Sequence, residues 1–181
     1  EWLRLPFGQL RELKGYAESR GLIWFCTPFD FESIDFLSSM GMKTWKVPSG
    51  KVVETEYLEM IARKKPEWVI MSLGKGYQVE SPSIPEIKRA LDIFSDVPRK
   101  TLMYCVSKYP TPVEELDLMQ IKQIPQLLGN GFDMGFSDHS LDYRDVPLKA
   151  IELGAKVIEK HITLSRDMDG PDHKASLESN E

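Results

Sequence analysis

The sequence predicts an α/β protein built on a parallel sheet, and three observations lead to that prediction. Short apolar runs of strand length alternate with longer amphipathic segments. The runs are apolar on both faces, which is typical of parallel strands covered by helices. Small polar or ionisable residues follow nearly every run, as expected where the carboxyl ends of strands surround one site.

Six apolar runs are the predicted strands: Leu22–Cys26, Thr44–Val47, Trp68–Met71, Thr101–Cys105, Phe132–Phe136 and Lys156–Glu159. Six amphipathic segments are the predicted helices: Gln9–Ser19, Phe31–Met40, Thr55–Arg63, Ile84–Phe94, Glu114–Leu128 and Tyr143–Leu153. The alternation predicts about six βα units within a single domain over residues 1–181.

Capping residues support the predicted helix boundaries. Asp30 is a favourable N-cap before Phe31, and Ser83 with Glu86 has the spacing of a capping box. Three glycines stand where a left-handed C-cap is expected: Gly21, Gly41 and Gly154.

The polar residues that follow the strands favour a barrel over a doubly wound sheet. They are Thr27, Ser49, Ser72, Ser107, Tyr109, Ser137, Asp138, His139 and His161. A doubly wound sheet uses mainly the strands at its switch point, whereas a barrel gathers all strand ends around one mouth. Neither a GxGxxG motif nor a Walker A loop is present, which weakens dinucleotide and nucleotide hydrolysis alternatives.

Composition excludes several function classes. The chain has 181 residues, 41% of them hydrophobic and 28% charged, with a net charge of −5, as in ordinary globular proteins. Basic residues are scattered, so nucleic-acid binding is not expected. No apolar stretch has the length of a membrane span and no signal-peptide pattern opens the chain, so we expect no membrane partner and a cytoplasmic location. Two cysteines make no disulfide framework.

Two histidines at strand ends are candidate metal ligands. His139 and His161 end the last two predicted strands, so their imidazoles could share a divalent ion. Asp138, Glu159 and Asp172 could complete an inner or outer shell. The alternative is that a strand-end histidine merely caps a backbone group.

Hydroxyls beside glycines suggest a phosphate-binding rim. Ser49–Gly50, Ser72–Gly74 and Ser137 stand at strand ends, where hydroxyl and amide donors can bind an anion, although Ser and Gly are also common in turns. Lys46 lies inside an apolar run. Its ammonium either enters the barrel mouth or snorkels outward beside Trp45.

Two loops could contact a sugar. Tyr109–Pro112 is stiff, so its tyrosine could stack on a sugar or could simply anchor the loop. The polar segment 170–176 should cross the mouth, where Asp172 could accept hydrogen bonds from sugar hydroxyls. His173 in the same segment could be solvated surface.

These motifs together resemble the sialic acid synthase family, whose members make N-acetylneuraminate, legionaminate or pseudaminate and include spore-coat polysaccharide relatives. The motifs are Cys26–Asp30, Lys46–Gly50, Tyr109–Pro112, Gly135–His139, Glu159–His161 and Gly170–Leu177. They occur in order, cover essentially the whole chain, and the last is highly specific.

The resemblance implies a TIM (β/α)8 barrel that condenses phosphoenolpyruvate with an N-acetylated amino-sugar aldehyde. It implies catalytic residues His139, His161 and Glu159, a divalent metal, most often Mn²⁺ with Mg²⁺ or Co²⁺ as alternatives, on His139 and His161, and sugar contacts from Tyr109 and Asp172. The residues that match the phosphoenolpyruvate site are Thr27, Lys46, Ser49, Ser72, Ser107 and Ser137.

The resemblance also sets expectations about domain organisation and specificity. Relative to the family, residues 1–181 are expected to lack the first two βα units and the C-terminal antifreeze-like domain through which members form homodimers. The family pattern has an acidic residue at the position of Lys51, an asparagine near Glu54, and Thr-Gly-Met where this chain has Leu73-Gly74-Lys75. Lys51 and Lys75 would alter the charge at the mouth.

Two other functions remain open from the sequence. One is a 3-deoxy-sugar-acid synthase that uses another aldose. The second is a catalytically silent homologue that binds a sugar or a partner.

Overall fold

Helices and parallel strands alternate in the computed structural model, which describes residues 5–76 and 81–181. The strands are β1 Thr44–Val47, β2 Trp68–Ser72, β3 Lys75–Gly76, β4 Arg99–Ser107, β5 Asp133–Asp138 and β6 Val157–Lys160. The α-helices are α1 Phe7–Ser19, α2 Phe31–Ser39, α3 Thr55–Arg63, α4 Ile84–Ile93, α5 Gln120–Leu128 and α6 Asp145–Glu152. Short 3₁₀ turns cover Ser49–Lys51, Val113–Glu115 and His173–Ala175.

The sheet follows the order β1-β2-β4-β5-β6, and every neighbouring pair is parallel. The two-residue β3 pairs with the end of β4, also in parallel. Along this path each new strand is added beside the preceding one, without the reversal that defines the switch point of a doubly wound sheet. This order and the parallel pairing form half of a barrel.

Strand alternation separates the core from the concave face. Trp45, Val69, Leu102 and Phe136 point towards the helices and belong to the main hydrophobic core. The intervening positions point to the other side, where Lys46, Ser72, Ser137 and Glu159 line a cavity. The period of two therefore puts the predicted ligand residues on one face.

An ion pair between the outermost strands shows how strongly the sheet curves. Lys46 on β1 and Glu159 on β6 lie at opposite edges of the five-strand path, yet Lys46 Nζ is 2.7 Å from Glu159 Oε2. Five flat strands would hold the two edges roughly 19 Å apart at the usual strand spacing. The concave face therefore closes around a central space.

The predicted helix caps are confirmed. Asp30 accepts a hydrogen bond from the Ser33 amide, 2.6 Å away, and Ser83 and Glu86 form a capping box. The three predicted C-cap glycines have positive φ angles: Gly21 at 72°, Gly41 at 77° and Gly154 at 110°.

The predicted first strand, Leu22–Cys26, is wrong. Leu22 and Ile23 are 62% and 73% exposed, and the segment makes no strand ladder. The Cys26 amide instead faces the sulfur of Met42 at 3.4 Å. An apolar run becomes a strand only where a neighbouring backbone pairs with it, so the main sheet within residues 5–76 and 81–181 has five strands rather than six.

The predicted helix Glu114–Leu128 is broken in two. Leu116 has an extended ψ of 118°, which ends the 3₁₀ turn, and α5 begins only at Gln120. Asp117 accounts for the break, because its amide donates to the Tyr104 hydroxyl at 2.8 Å and its carboxylate accepts from the Met119 amide. A local side-chain bond has replaced helical bonding there.

The structure also bears on the membrane prediction. Among residues 5–76 and 81–181, no helix combines the length and apolar character needed to cross a bilayer.

Candidate active site

A cavity of about 350 Å³ opens at the carboxyl ends of the strands, on the concave face. Its lining includes all six residues predicted to bind phosphoenolpyruvate: Thr27, Lys46, Ser49, Ser72, Ser107 and Ser137. The predicted residues His139, Glu159, His161 and Tyr109 line it as well. These ten residues come from all five main strands or the segments around them, which is why the curvature of the sheet is needed to assemble the site.

His139 has a defined tautomer. Its Nδ1 lies 2.6 Å from the carbonyl oxygen of Val106, and because a carbonyl only accepts, Nδ1 must carry a proton. Burial lowers the pKa of His139, although the Val106 carbonyl acts in the opposite direction. The ring is therefore neutral at pH 7, and its Nε2 carries a lone pair.

The Nε2 lone pair of His139 lies near Ser137 but receives no hydrogen bond from it. Ser137 Oγ is 3.2 Å from Nε2, but the Ser137 hydroxyl donates to Glu159 Oε1 at 2.6 Å. A serine hydroxyl has a single hydrogen, so Ser137 has none left for the histidine. The imidazole nitrogen is thus free to bind a Lewis acid.

His161 completes the histidine pair. The ring centroids of His139 and His161 are 5.4 Å apart and the planes are nearly perpendicular, at 87°. Nδ1 of His161 faces Asp172 Oδ2 at 3.7 Å, so the segment that carries Asp172 reaches this histidine. That segment is attached to the end of β6, because Leu177 donates its amide to the His161 carbonyl at 2.9 Å.

Glu159 lies at the centre of the polar network. Lys46 donates to both of its oxygens, at 2.8 and 2.7 Å, and Ser137 donates to one of them. Burial is the largest single influence and disfavours the carboxylate, but the charge and hydrogen bonds of Lys46 and the Ser137 bond together hold the pKa of Glu159 below its usual value. Glu159 is therefore ionised and fixed in place at neutral pH.

Of the two orientations expected for the Lys46 side chain, the structure has the one that enters the cavity. Its side chain is 11% exposed and its ammonium meets Glu159 inside the half-barrel, whereas Trp45 is buried among the core residues on the helix side. The residue parity of β1 explains this, since successive side chains on a strand face opposite sides.

Gly74 lets three side chains approach its backbone. Its amide donates to Ser49 Oγ at 2.9 Å. A Cβ at this position would lie 2.6 Å from Cys105 Sγ, 2.7 Å from Ser107 Oγ and 2.9 Å from Ser49 Oγ. The Ser49 and Ser107 hydroxyls thus converge where only a glycine fits.

Tyr109 forms one wall of the cavity. Its ring stacks on His139 with centroids 4.2 Å apart, and it meets His161 edge-on at 5.5 Å. The Tyr109–Pro110 peptide is cis, and the Thr111 amide donates to the His139 carbonyl at 2.9 Å. The loop and the histidine therefore support one another.

Some predicted residues lie apart from this arrangement. Asp138 is not directed at the histidines, because its oxygens are used by Lys160 and by the Ser140 amide. Lys51 donates to both oxygens of Glu54, at 2.9 and 2.8 Å, so these two departures from the family pattern offset one another in charge. The backbone of Lys75 belongs to β3, but its side chain lies outside the described part of the structure.

Sequence reasoning missed several lining residues. Phe25, Phe29, Pro48 and Cys105 also line the cavity, and Cys105 was interpreted only as a packing residue. Its position immediately before the polar residues that follow a strand was the available signal. Burial raises the pKa of the Cys105 thiol, which favours the neutral form at pH 7.

A divalent metal ion fits part of this donor set. Imidazoles are suitable ligands for a transition metal, and the carbonyl bonded to His139 Nδ1 is a typical outer-shell partner. Within residues 5–76 and 81–181, no group of three or more His, Cys, Asp or Glu side chains is arranged to hold a metal ion. Oxygen ligands from water or substrate would be required to complete the coordination.

A larger cavity of about 810 Å³ lies between α4 and α5. Its walls include Ile84, Ile87, Tyr104, Ile124 and Leu127. The smaller cavity is the candidate active site because it brings together the histidines, the lysine and the ionised carboxylate.

The fold and the site define an α/β half-barrel protein with its polar site at the carboxyl ends of parallel strands. Comparison with known proteins gives the family: a model of the NeuB family matches residues 1–181, and the chain belongs to that family.

Curated relatives include sialic-type acid synthases. The chain is 37% identical over 183 residues to the N,N'-diacetyllegionaminic acid synthase of Campylobacter jejuni, covering 99% of this chain and 52% of the relative. It is 33% identical over 180 residues to human N-acetylneuraminate-9-phosphate synthase, covering 99% and 48%. The chain thus spans about half the length of these relatives.

A solved structure supports the fold. The N-acetylneuraminic acid synthetase of Leptospira borgpetersenii, crystallised with citrate, superposes with a TM-score of 0.86 at 30% identity, covering 98% of this chain and 59% of that one.

Proposed function

We propose that this protein condenses phosphoenolpyruvate with an N-acetylated amino-sugar aldehyde, such as N-acetylmannosamine, to give a nonulosonic acid and phosphate. The observation that supports the proposal best is one cavity in which an anion-binding set, including Lys46 and the strand-end hydroxyls, faces the pair His139 and His161. Membership in a family with sialic-type acid synthases supports the same reaction class.

Phosphoenolpyruvate would be bound by Lys46 and by the hydroxyls. The substrate carries several negative charges, and charge-assisted hydrogen bonds from an ammonium and from hydroxyls suit its carboxylate and phosphate. Lys46 is held by Glu159 before substrate binds, which reduces the ordering that binding requires. Thr27, Ser49, Ser72, Ser107 and Ser137 complete the proposed set.

The sugar aldehyde would bind at the histidine side of the cavity. His139 and His161 would hold a divalent ion, Mn²⁺ in the first instance with Mg²⁺ or Co²⁺ as alternatives, which when bound supplies Lewis-acid polarisation of the aldehyde carbonyl. Tyr109 presents the face of its ring beside both histidines, and Asp172 approaches His161 from the loop that follows β6. We assign these last two to the sugar.

The proposed reaction balances with one water molecule. C3 of phosphoenolpyruvate attacks the aldehyde carbon, and the aldehyde oxygen becomes a hydroxyl. Water adds at C2, and phosphate leaves with cleavage of the C–O bond. Glu159 is the only carboxylate among the described residues that line the cavity, and it can accept a proton from that water.

The wider setting is part of the proposal. The curvature of the half-barrel and the share of the relatives that it spans support a closed TIM (β/α)8 barrel in the whole protein. We further propose a homodimer, as the family resemblance implies, and a cytoplasmic location.

A labelling assay tests the reaction. Full-length protein is incubated with Mn²⁺, an amino-sugar aldehyde and phosphoenolpyruvate carrying ¹⁸O in its bridging oxygen, and phosphate and sugar acid are identified by mass spectrometry. We expect ¹⁸O in the released phosphate, because the C–O bond breaks. Unlabelled phosphate would contradict the proposed bond cleavage.

The same assay separates the alternatives. Turnover only with a simple aldose such as arabinose would favour a 3-deoxy-sugar-acid synthase. Absence of phosphate release with every aldehyde would favour the catalytically silent homologue.

A further inference from the structure

Asp138 and Lys160 form a buried ion pair beside the two histidines. They are register partners on β5 and β6, and Lys160 Nζ lies 2.9 Å from Asp138 Oδ2. Their side chains are 0% and 12% exposed. Asp138 immediately precedes His139, and Lys160 immediately precedes His161.

This pair faces away from the cavity. On β5, Asp138 shares its parity with Phe136, which packs in the helix-side core, while Ser137 and His139 line the cavity. Asp138 and Lys160 therefore influence the histidines through the backbone rather than by touching a substrate.

Lys160 ties the loop after β5 to the end of β6. Its ammonium donates to Asp138 Oδ2, to the Ser140 carbonyl at 2.7 Å and to the Asp142 carbonyl at 3.1 Å. The second oxygen of Asp138 accepts from the Ser140 amide at 2.8 Å. All three donors of the ammonium are thus used to fix two strand ends to one another.

Stability alone is a weak reason for such a pair. Removing two charges from water is costly, and a buried ion pair can often be replaced by neutral residues without loss of stability. A role in geometry is a better account, because small displacements at strand ends would change the separation of the two rings, whose centroids are 5.4 Å apart.

We propose that the Asp138–Lys160 pair is a positioning clamp that sets the separation of His139 and His161. This inference rests on the proposed function in one respect, that the histidines share a divalent ion. It means that two residues outside the cavity, Asp138 and Lys160, contribute to the affinity for that ion.

Four variants of the full-length protein test the clamp: Asp138→Asn, Lys160→Met, the double variant of these two, and Phe94→Leu. Phe94 is fully buried at the end of α4, before β4 begins at Arg99, and does not line the cavity, so its variant serves as a control for lost stability. Mn²⁺ dissociation constants are measured by electron paramagnetic resonance well below each variant's Tm.

We expect Mn²⁺ affinity to fall about 10- to 100-fold in both single variants and to remain low in the double variant. Tm should fall in the single variants, because each leaves one buried charge without its partner, and recover in the double variant. Phe94→Leu should lower Tm with unchanged Mn²⁺ affinity. The four variants would thus separate effects on Mn²⁺ affinity from effects on stability.

Three results would overturn the clamp: Mn²⁺ affinity that recovers with Tm in the double variant, unchanged affinity in both single variants, or wild-type protein that binds no Mn²⁺. Failure of the clamp can be distinguished from failure of the proposed function. Wild-type protein that binds Mn²⁺ but releases no phosphate from phosphoenolpyruvate would end the proposed function, while the affinity series would still support the clamp.

Discussion

Lys46 on the first strand of the sheet and Glu159 on the last form a two-point ion pair, with Nζ 2.8 and 2.7 Å from the two carboxylate oxygens. The residues are 113 positions apart in the chain. The pair joins the edges of the half-barrel and also supplies the cation and the carboxylate of the candidate site. Curvature and chemistry therefore depend on the same contact.

We predict that Lys46→Met raises the KM for phosphoenolpyruvate at least about tenfold, because a charge-assisted bond to a substrate anion is lost. The free energy of unfolding should fall by roughly 2 kcal/mol, since Glu159 loses its charged partner. Steady-state kinetics and urea unfolding measure the two effects.

The matched control is Lys43→Met. Lys43 Nζ is 3.9 Å from Glu67, and both side chains are more than half exposed, so the change should affect stability and KM little. An equal effect of both lysine variants on KM would contradict a specific role for Lys46.

The lowered pKa of Glu159 predicts a pH dependence of stability. The pKa of Glu159 is lower in the folded protein than its unfolded value, which is near 4.5. Such a carboxyl group stabilises the folded protein at pH values above 4.5, and this stabilisation is lost as the pH falls through the folded pKa. Between pH 6 and pH 3, wild-type protein should therefore lose more stability than Lys46→Met. Urea unfolding at each pH measures the free energy of unfolding. If it falls equally with pH in the two proteins, the pH dependence does not come from the Lys46–Glu159 pair.

We predict that Gly74→Ala impairs substrate binding. The added methyl group would lie within 3.0 Å of Ser49, Ser107 and Cys105 side chains, so the hydroxyls must move. The KM for phosphoenolpyruvate should rise about tenfold or more, which corresponds to about 1.4 kcal/mol. Gly15→Ala in α1, where a Cβ meets nothing within 4 Å, should leave kinetics unchanged. A normal KM for Gly74→Ala would show that the hydroxyls need not converge.

We predict that His139→Ala lowers Mn²⁺ affinity at least about tenfold, because one of two imidazole ligands is removed. Isothermal titration of the full-length protein with Mn²⁺ measures this. His173→Ala is the matched control, because His173 Nδ1 faces Thr163 Oγ1 at 2.7 Å and the residue does not line the cavity. Unchanged Mn²⁺ binding in His139→Ala would remove the metal assignment.

Local sequence signals were sufficient where an element depends on near neighbours. The helix Thr55–Arg63 and the strand Thr44–Val47 have the bounds that the sequence predicts. The capping residues Asp30, Ser83 and Glu86 behave as their spacing indicates. Caps and periodicity involve residues only a few positions apart, so one sequence contains the necessary information.

Predictions failed where a distant partner decides the outcome. Leu22–Cys26 has strand-like composition but pairs with no strand of the described residues. Glu114–Leu128 is interrupted because Asp117 bonds to Tyr104 on β4. Asp138 was a candidate for the metal site, but it lies on the opposite face of β5 from Ser137, and Lys160 on the next strand binds its carboxylate there.

The sequence by itself determined the parallel α/β class, the polar residues at the strand ends and the motifs that mark the family. Only the tertiary structure decided that Lys46 points inwards to Glu159, that His139 presents a free Nε2, and that Asp138 binds Lys160. The physical reason is how far apart along the chain the interacting residues are. Strand and helix propensity depend on neighbours along the chain, whereas these contacts join residues on different strands, and the one between Lys46 and Glu159 also depends on how strongly five strands curve.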